Sequence, residues 1–295
     1  MNTNGFVSHR LLLFIVFIKT ITFIHSEEII KSDLWSSVKL QFDQNRKSGF
    51  KRLESKLTNI NFSNLLDDER SIRNRNLLSG SGVAAGDVDG DGLCDLYFCG
   101  LENGNKLYRN LGGWKFSDVT EISKVSCFGQ DSTAAAFADI DGDGDLDLLV
   151  NALGGGTRLF RNDNNLNFTE TTNESGLKSN AGSMSMTIAD IENDGDLDIY
   201  VTNFHPTTIK DRPNTKIRVR MIDNEPKVIS VNGVSTSSPE LKGRFEISKN
   251  RNVLEYGEED FLYINDGNGL FKKADYRDRF LNESGGKLSK TPKDW

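Results

Sequence analysis

The sequence predicts an all-β chain of tandem four-stranded sheets, on three observations. An acidic segment recurs three times, at Asp87, Asp139 and Asp190, spaced by 52 and 51 residues. A second marker recurs downstream of it: Leu107-Tyr108-Arg109-Asn110, Leu159-Phe160-Arg161-Asn162 and Leu262-Tyr263-Ile264-Asn265. Each is followed six residues after its Asn by Phe116, Phe168 or Phe271. Between the markers lie short β-rich runs punctuated by Gly, Asn and Asp, and residues 79–204 hold no sustained 3.6-residue apolar period.

Composition sets the frame. The 295 residues are 36% apolar and 27% charged, enough apolar content for a core, which excludes wholesale disorder. The net charge of −7 argues against a nucleic-acid partner held by phosphate neutralisation. The first 26 residues read as a signal peptide. His9 and Arg10 precede the run Leu11–Ile18, and Ser26 stands before Glu27-Glu28. Lys19 interrupts the apolar stretch, so it falls short of the roughly 20 residues that span a bilayer. An uncleaved anchor is the alternative; either way the expectation is export to a secreted, periplasmic or cell-surface location, with no transmembrane span after signal removal. Residues 27–78 are expected to pack on the first repeat as a short helix and strand, or to supply one outer strand.

Within the first repeat, Val83-Ala84-Ala85 leads into the acidic loop and Leu96–Cys99 leaves it. Lys106–Arg109 forms a third strand and Lys115–Val119 a fourth. The strand before each loop is built from small residues, including Ala134-Ala135-Ala136, which suits a crowded inner position. Four strands per repeat at this period is the blade of a β-propeller, which hides sheet edges by radial repetition. The expected blades are 79–128, 129–180 and 181–281, with 282–295 starting a further one. From acidic start to marker Asn the distance is 23 residues twice and then 75, so the third repeat holds about 52 extra residues within 205–259. A hairpin is expected there, Lys216–Ile222 and Lys227–Val231 around Asp223–Pro226. A β-rich insertion is preferred over a degenerate blade. Three blades do not close a ring of four to eight, so the sequence reads as the N-terminal piece of a longer propeller.

The acidic loops hold the candidate chemistry. Carboxylates at positions 1, 3, 5 and 9, with Gly at position 6 for a sharp turn, wrap oxygens around one centre, and position 7 offers a backbone carbonyl. All-oxygen coordination of this kind selects a hard cation and favours Ca2+. The expected ligands are Asp87, Asp89, Asp91, Leu93 and Asp95 for one ion, and Asp139, Asp141, Asp143, Asp145 and Asp147 for a second. Asp190, Glu192, Asp194, Asp196 and Asp198 form a third and weakest set, because Glu192 needs more room at position 3. Position 12 is Phe98, Val150 or Val201 rather than Glu, so these are not EF-hands. Solvated acidic turns are the alternative.

The remaining chemistry is sparse. Cys94, Cys99 and Cys127 are expected to be small buried thiols. His205 is the one imidazole outside the signal segment and is expected to be structural. The run Asp67–Arg75 reads as a solvated or salt-bridged surface, and no catalytic motif is present, so the chain is not expected to be an enzyme.

These strings resemble the FG-GAP/VCBS repeats of calcium-bearing, integrin-α-like propellers, although Phe128-Gly129 is the sole Phe-Gly. Leu65-Leu66-Asp67-Asp68-Glu69-Arg70, Gly80-Ser81-Gly82-Val83, Leu107–Asn110 and Asp131-Ser132-Thr133 resemble the ASPIC/UnbV, cartilage-acidic-protein-like branch. The resemblance covers residues 50–295. It implies an exported calcium-binding propeller that acts, without catalysis, on an unknown protein or glycan ligand or in adhesion. The alternative is the propeller part of an extracellular carbohydrate-active lyase or hydrolase, with its catalytic groups in the insertion or beyond the C-terminus.

Overall fold

Why the repeats become stacked sheets is visible in the computed structural model, which describes residues 49–163 and 166–275 together with strand segments 29–31 and 36–38. Residues 1–26, expected to be a signal peptide, and residues 282–295 lie outside the described residues. The chain divides into two units, Met1–Arg52 and Leu53–Trp295. The first holds an antiparallel pair, β1 (Ile29–Lys31) and β2 (Ser36–Val38).

The second unit contains three four-stranded antiparallel blades. Blade 1 is β3 (Val83–Gly86), β4 (Asp95–Phe98), β5 (Lys106–Asn110) and β6 (Phe116–Asp118). Blade 2 is β7 (Ser132–Ala138), β8 (Asp147–Ala152), β9 (Gly156–Asn162) and β10 (Phe168–Glu170). Blade 3 opens with β11 (Gly182–Ala189) and β12 (Asp198–Phe204). The chain then makes β13 (Ile217–Ile222), β14 (Glu225–Val231), β15 (Val234–Ser235), β16 (Phe245–Ile247) and β17 (Val253–Glu255). It returns to blade 3 with β18 (Phe261–Asn265) and β19 (Phe271–Ala274), and β18 pairs directly with β12. Residues 205–260 thus leave from one blade's middle, between its second and third strands. Among the described residues the three sheets do not close a ring.

Apolar alternation along the strands becomes two inter-blade cores. Tyr97, Leu107, Val119 and Val125 of blade 1 meet Leu148, Val150, Phe160 and Phe168 of blade 2. Leu149, Leu159 and Leu177 of blade 2 meet Ile199, Val201, Tyr263 and Phe271 of blade 3. The middle strand β8 is buried along its whole length because both its faces lie in such cores. Small residues serve the inner strands as expected. A Cβ on Gly82 would stand 2.7 Å from the Ala134 Cα, backbone against backbone, with nothing flexible to give way. Gly82→Ala is therefore expected to cost about 1–3 kcal/mol by overpacking, read as a lowered denaturation midpoint.

Residues 53–79 cross the ends of all three blades opposite the acidic loops. Helix α1 (Ser55–Thr58) precedes Phe62, which stacks on Phe98 at 5.2 Å, and Asn64 Oδ1 accepts the Leu101 N–H at 3.1 Å. Helix α2 (Asp68–Arg73) starts at Asp67, whose carboxylate accepts the Glu69 and Arg70 N–H groups. Arg70 then grips Glu102 of blade 1 at 2.6 Å and Asp131, at the entry to blade 2, at 2.7 Å. Asn74 and Asn76 donate to the carbonyls of Pro206 and His205 beyond blade 3 at 2.7 and 2.8 Å. Leu77, Leu101 and Leu153 close a small apolar cluster with Leu66 and Met184.

Two smaller expectations are settled here. Cys99 and Cys127 are buried, but Cys94 is exposed, because it lies in the acidic loop before β4 rather than inside it. His205 is buried with Nδ1 3.3 Å from Glu258, a structural placement. A single helical turn, α3 (Thr120–Ser123), follows β6 where no helix is expected. No helix among the described residues is long and apolar enough to cross a membrane.

Candidate metal centre

Each acidic loop joins the first two strands of its blade, so all three lie at one end of the stack. Gly92, Gly144 and Gly195 at position 6 adopt φ of +83°, +94° and +100°, the left-handed turn the loop requires. Position 4 is also left-handed, with Gly90, Gly142 and then Asn193, a residue that tolerates the conformation. The loops are held by their own carboxylates. Asp87 accepts the Asp91 and Gly92 N–H groups at 3.1 and 2.7 Å, and Asp139 accepts those of Gly142 and Gly144. Asp190 does the same for Asp194 and Gly195. Position 5 accepts from position 7, as Asp91 from Leu93, Asp143 from Asp145 and Asp194 from Asp196.

Position 9 is buried in all three blades, at Asp95, Asp147 and Asp198. One oxygen accepts the position-2 N–H, from Val88, Ile140 or Ile191, at 2.9–3.0 Å. The other accepts the backbone N–H of the marker Asn, from Asn110, Asn162 or Asn265, at 2.7–2.9 Å. The marker Asn also explains its own recurrence. Asn162 Nδ2 donates to Val88 O in the loop of blade 1 at 2.9 Å, and Asn265 Nδ2 donates to Ile140 O in the loop of blade 2 at 2.8 Å. Loops 1 and 2 are thus each stitched to the next blade. Asn110, with no preceding blade among the described residues, donates to Cys94 O of its own blade.

Ligand-type oxygens of Asp87, Asp89 and Asp95 all lie within 4.8 Å of one another, as do those of Asp139, Asp141 and Asp147. Positions 1, 3 and 9 therefore converge in loops 1 and 2, while position 5 is turned to the loop backbone. Asp190, Glu192 and Asp198 do not form such a triad among the described residues. The position-3 carboxylates face inward, with only 5% of the Asp89 and 7% of the Asp141 side chain exposed. Both Asp141 oxygens are buried, with the Arg161 guanidinium as the cation beside them. Burial, followed by the charge of Asp143 and Asp139, pushes its carboxyl above the ordinary range despite Arg161. A buried acceptor in that state is what a cation would satisfy, so the residues of loops 1 and 2 fit a metal ion.

Two further residues belong to the site. Arg109 pairs with Asp89, and its Nη2 lies 3.0 Å from Asp91 Oδ2; Arg161 Nε lies 2.6 Å from Asp141 Oδ2. These guanidiniums offset part of the charge that spacing alone leaves unbalanced, and the third blade has Ile264 at this position. The signal is in the Leu-Tyr-Arg-Asn marker: pairing of β5 with β4 and of β9 with β8 brings its Arg back to the loop.

Burial pushes the Asp147 carboxyl up to about 6 from its ordinary 3.8, against the lowering effect of its two backbone donors. A folded-state value raised in this way adds stability that is full below about 3.8 and is lost as pH rises through about 6. In chelator, the wild-type chain should therefore lose stability relative to Asp147→Asn between pH 4 and 6, as thermal melts at stepped pH would show.

Comparison with known proteins agrees with this geometry. The family model for the FG-GAP-like repeat matches residues 87–150 and 149–201. Over 127 residues, 42% of this chain, the sequence is 30% identical to Cartilage acidic protein 1 of Xenopus tropicalis, and the match spans 20% of that protein's length. The matched stretches hold all three acidic loops, which in this respect are similar to FG-GAP-like repeats.

Proposed function

We propose that this chain is a calcium-binding propeller module that acts by binding a protein or glycan rather than by catalysis, and that it works outside the cytoplasm after export through residues 1–26. The observation that supports it most is the pair of convergent carboxylate triads, Asp87, Asp89 and Asp95 in one loop and Asp139, Asp141 and Asp147 in the next. Asp87, Asp89 and Asp95 would hold one ion and Asp139, Asp141 and Asp147 another. The backbone carbonyls of Leu93 and Asp145 and the carboxylates of Asp91 and Asp143 are at hand to complete the shell. Asp190, Glu192, Asp194, Asp196 and Asp198 form a third, weaker site. A bound divalent ion supplies charge neutralisation and fixed geometry, and Ca2+ accepts six to eight oxygens at flexible angles where Mg2+ retains waters.

The loop and the blade interface share atoms. In loops 1 and 2 the position-9 carboxylate lines the triad and accepts the position-2 N–H, while the position-2 carbonyl accepts the marker Asn of the next blade, so an ion that fixes the loop also fixes the next blade. Because residues 53–79 occupy the opposite end, the loop end is the face available to a ligand. The test is a panel of extracellular proteins and polysaccharides, each screened for binding and for cleavage in Ca2+ and in chelator. Calcium-dependent binding without cleavage is expected. Cleavage of any polysaccharide, abolished in none of the loop variants, would overturn the non-catalytic reading.

A further inference from the structure

We infer that the free edge of β13 is a docking site for an acidic, extended peptide that joins the hairpin β13–β14 as a further strand. The sheet order is β13-β14-β15, so among the described residues β13 has a neighbour on one side alone. The turn at Asp223-Asn224 has both residues left-handed, at φ +54° and +62°, which is the two-residue hairpin turn whose flanking pair exchanges both backbone bonds. In the register Ile222↔Glu225, Arg220↔Lys227 and Met221↔Pro226, Ile222 and Arg220 turn their backbone inward. Met221 and Val219 then direct theirs outward, and Pro226, which has no N–H, stands at the non-bonded position opposite Met221. The pairing shifts register between Arg218 and Val219, and from Val219 to Ile222 the edge is regular and carries no proline.

The side chains name the occupant. Val219 and Met221 are 49% and 63% exposed, apolar surface for an incoming strand to cover. Arg218 and Arg220 alternate with them, and Lys216 and Lys227 flank them, four cations against Asp223 and Glu225 in a chain of net charge −7. Among the described residues no carboxylate pairs with either arginine. A second copy of the edge would set Arg218 and Arg220 against like charge, which strand pairing penalises. A glycan would leave both the outward N–H groups and the apolar pair without partners. An extended peptide with acidic residues alternating with apolar ones satisfies all three, by the mode of strand addition.

The inference does not rest on the calcium reading, and its experiment runs in chelator as well as in calcium. The probe is a fluorescent peptide of about nine residues alternating Val and Glu, measured by polarisation against the full chain, with the same peptide N-methylated at every amide, which blocks both of its edges. Binding is expected to fall at least tenfold, about 1.4 kcal/mol, on N-methylation, and by as much in the Arg218→Glu/Arg220→Glu variant. Val219→Pro removes an outward N–H and leaves the β14 side of the strand intact, so it too should lose the peptide. The N-methylated peptide tests the idea with no variant that could misfold. Absence of binding, equal binding of the N-methylated peptide, or a heparin oligosaccharide that binds wild type and Val219→Pro alike would each overturn it. So would a β13-dependent dimer in sedimentation.

Discussion

Asn162→Ala is expected to destabilise the chain by about 2–4 kcal/mol, because it strips two buried carbonyls of their donor at once. Those carbonyls are Val88 O in the neighbouring blade's loop and Leu146 O in its own. Asn265→Ala should cost a similar amount, through Ile140 O and Leu197 O, with the Gly269 N–H also losing its acceptor. The same residue type at the same repeat position supplies its own control. Asn110 makes the equivalent bond to Cys94 O and accepts from Gly112, but reaches no second blade. Its replacement should cost about 1 kcal/mol or less, because the freed groups are reached by water. Urea denaturation of the three variants measures this directly. Equal losses at 110, 162 and 265 would mean that the Asn serves only its own blade and that blade docking owes nothing to it.

Calcium should raise the melting temperature more than any side-chain change lowers it. Binding to the native state alone stabilises by about 2.7 kcal/mol per site at a hundredfold excess over Kd, so two sites give about 5 kcal/mol. For a chain of this size that is an upward shift of about 10–20 °C. The Asn162→Ala variant should respond less at loop 1, since the carbonyl of Val88 no longer ties that loop to blade 2. An unchanged melting temperature in calcium and in chelator would separate the loops from any role in stability.

Much of this molecule is legible in one dimension because its repeats are. Two markers in register fix where strands begin, and glycine at position 6 declares the turn. Short β-rich runs between Gly, Asn and Asp declare the strands. What resists reading is whatever depends on sheet register or on contacts between repeats. Arg109 lies 18 residues from Asp91 in the chain, yet the pairing of β4 with β5 sets them 3.0 Å apart. The marker Asn recurs in the sequence without showing its purpose, since the side-chain partner of Asn162 lies 74 positions away in another blade. The charged run Asp67–Arg75 reads as surface, and it is; that Arg70 bridges two blades follows only from where Glu102 and Asp131 meet it. Cys94 reads as a small buried thiol, but as the last residue of the loop it is exposed beside the buried Asp95.

The most direct test of calcium in the loops is a titration of the metal-free chain with Ca2+ by calorimetry, repeated on Asp89→Asn, Asp141→Asn and the double variant. Two ions are expected at the first two loops, with one lost in each single variant and both in the double, while any binding at Asp190–Asp198 is weaker and unaffected. Titrations that show no heat, or the same stoichiometry in all four proteins, would contradict it.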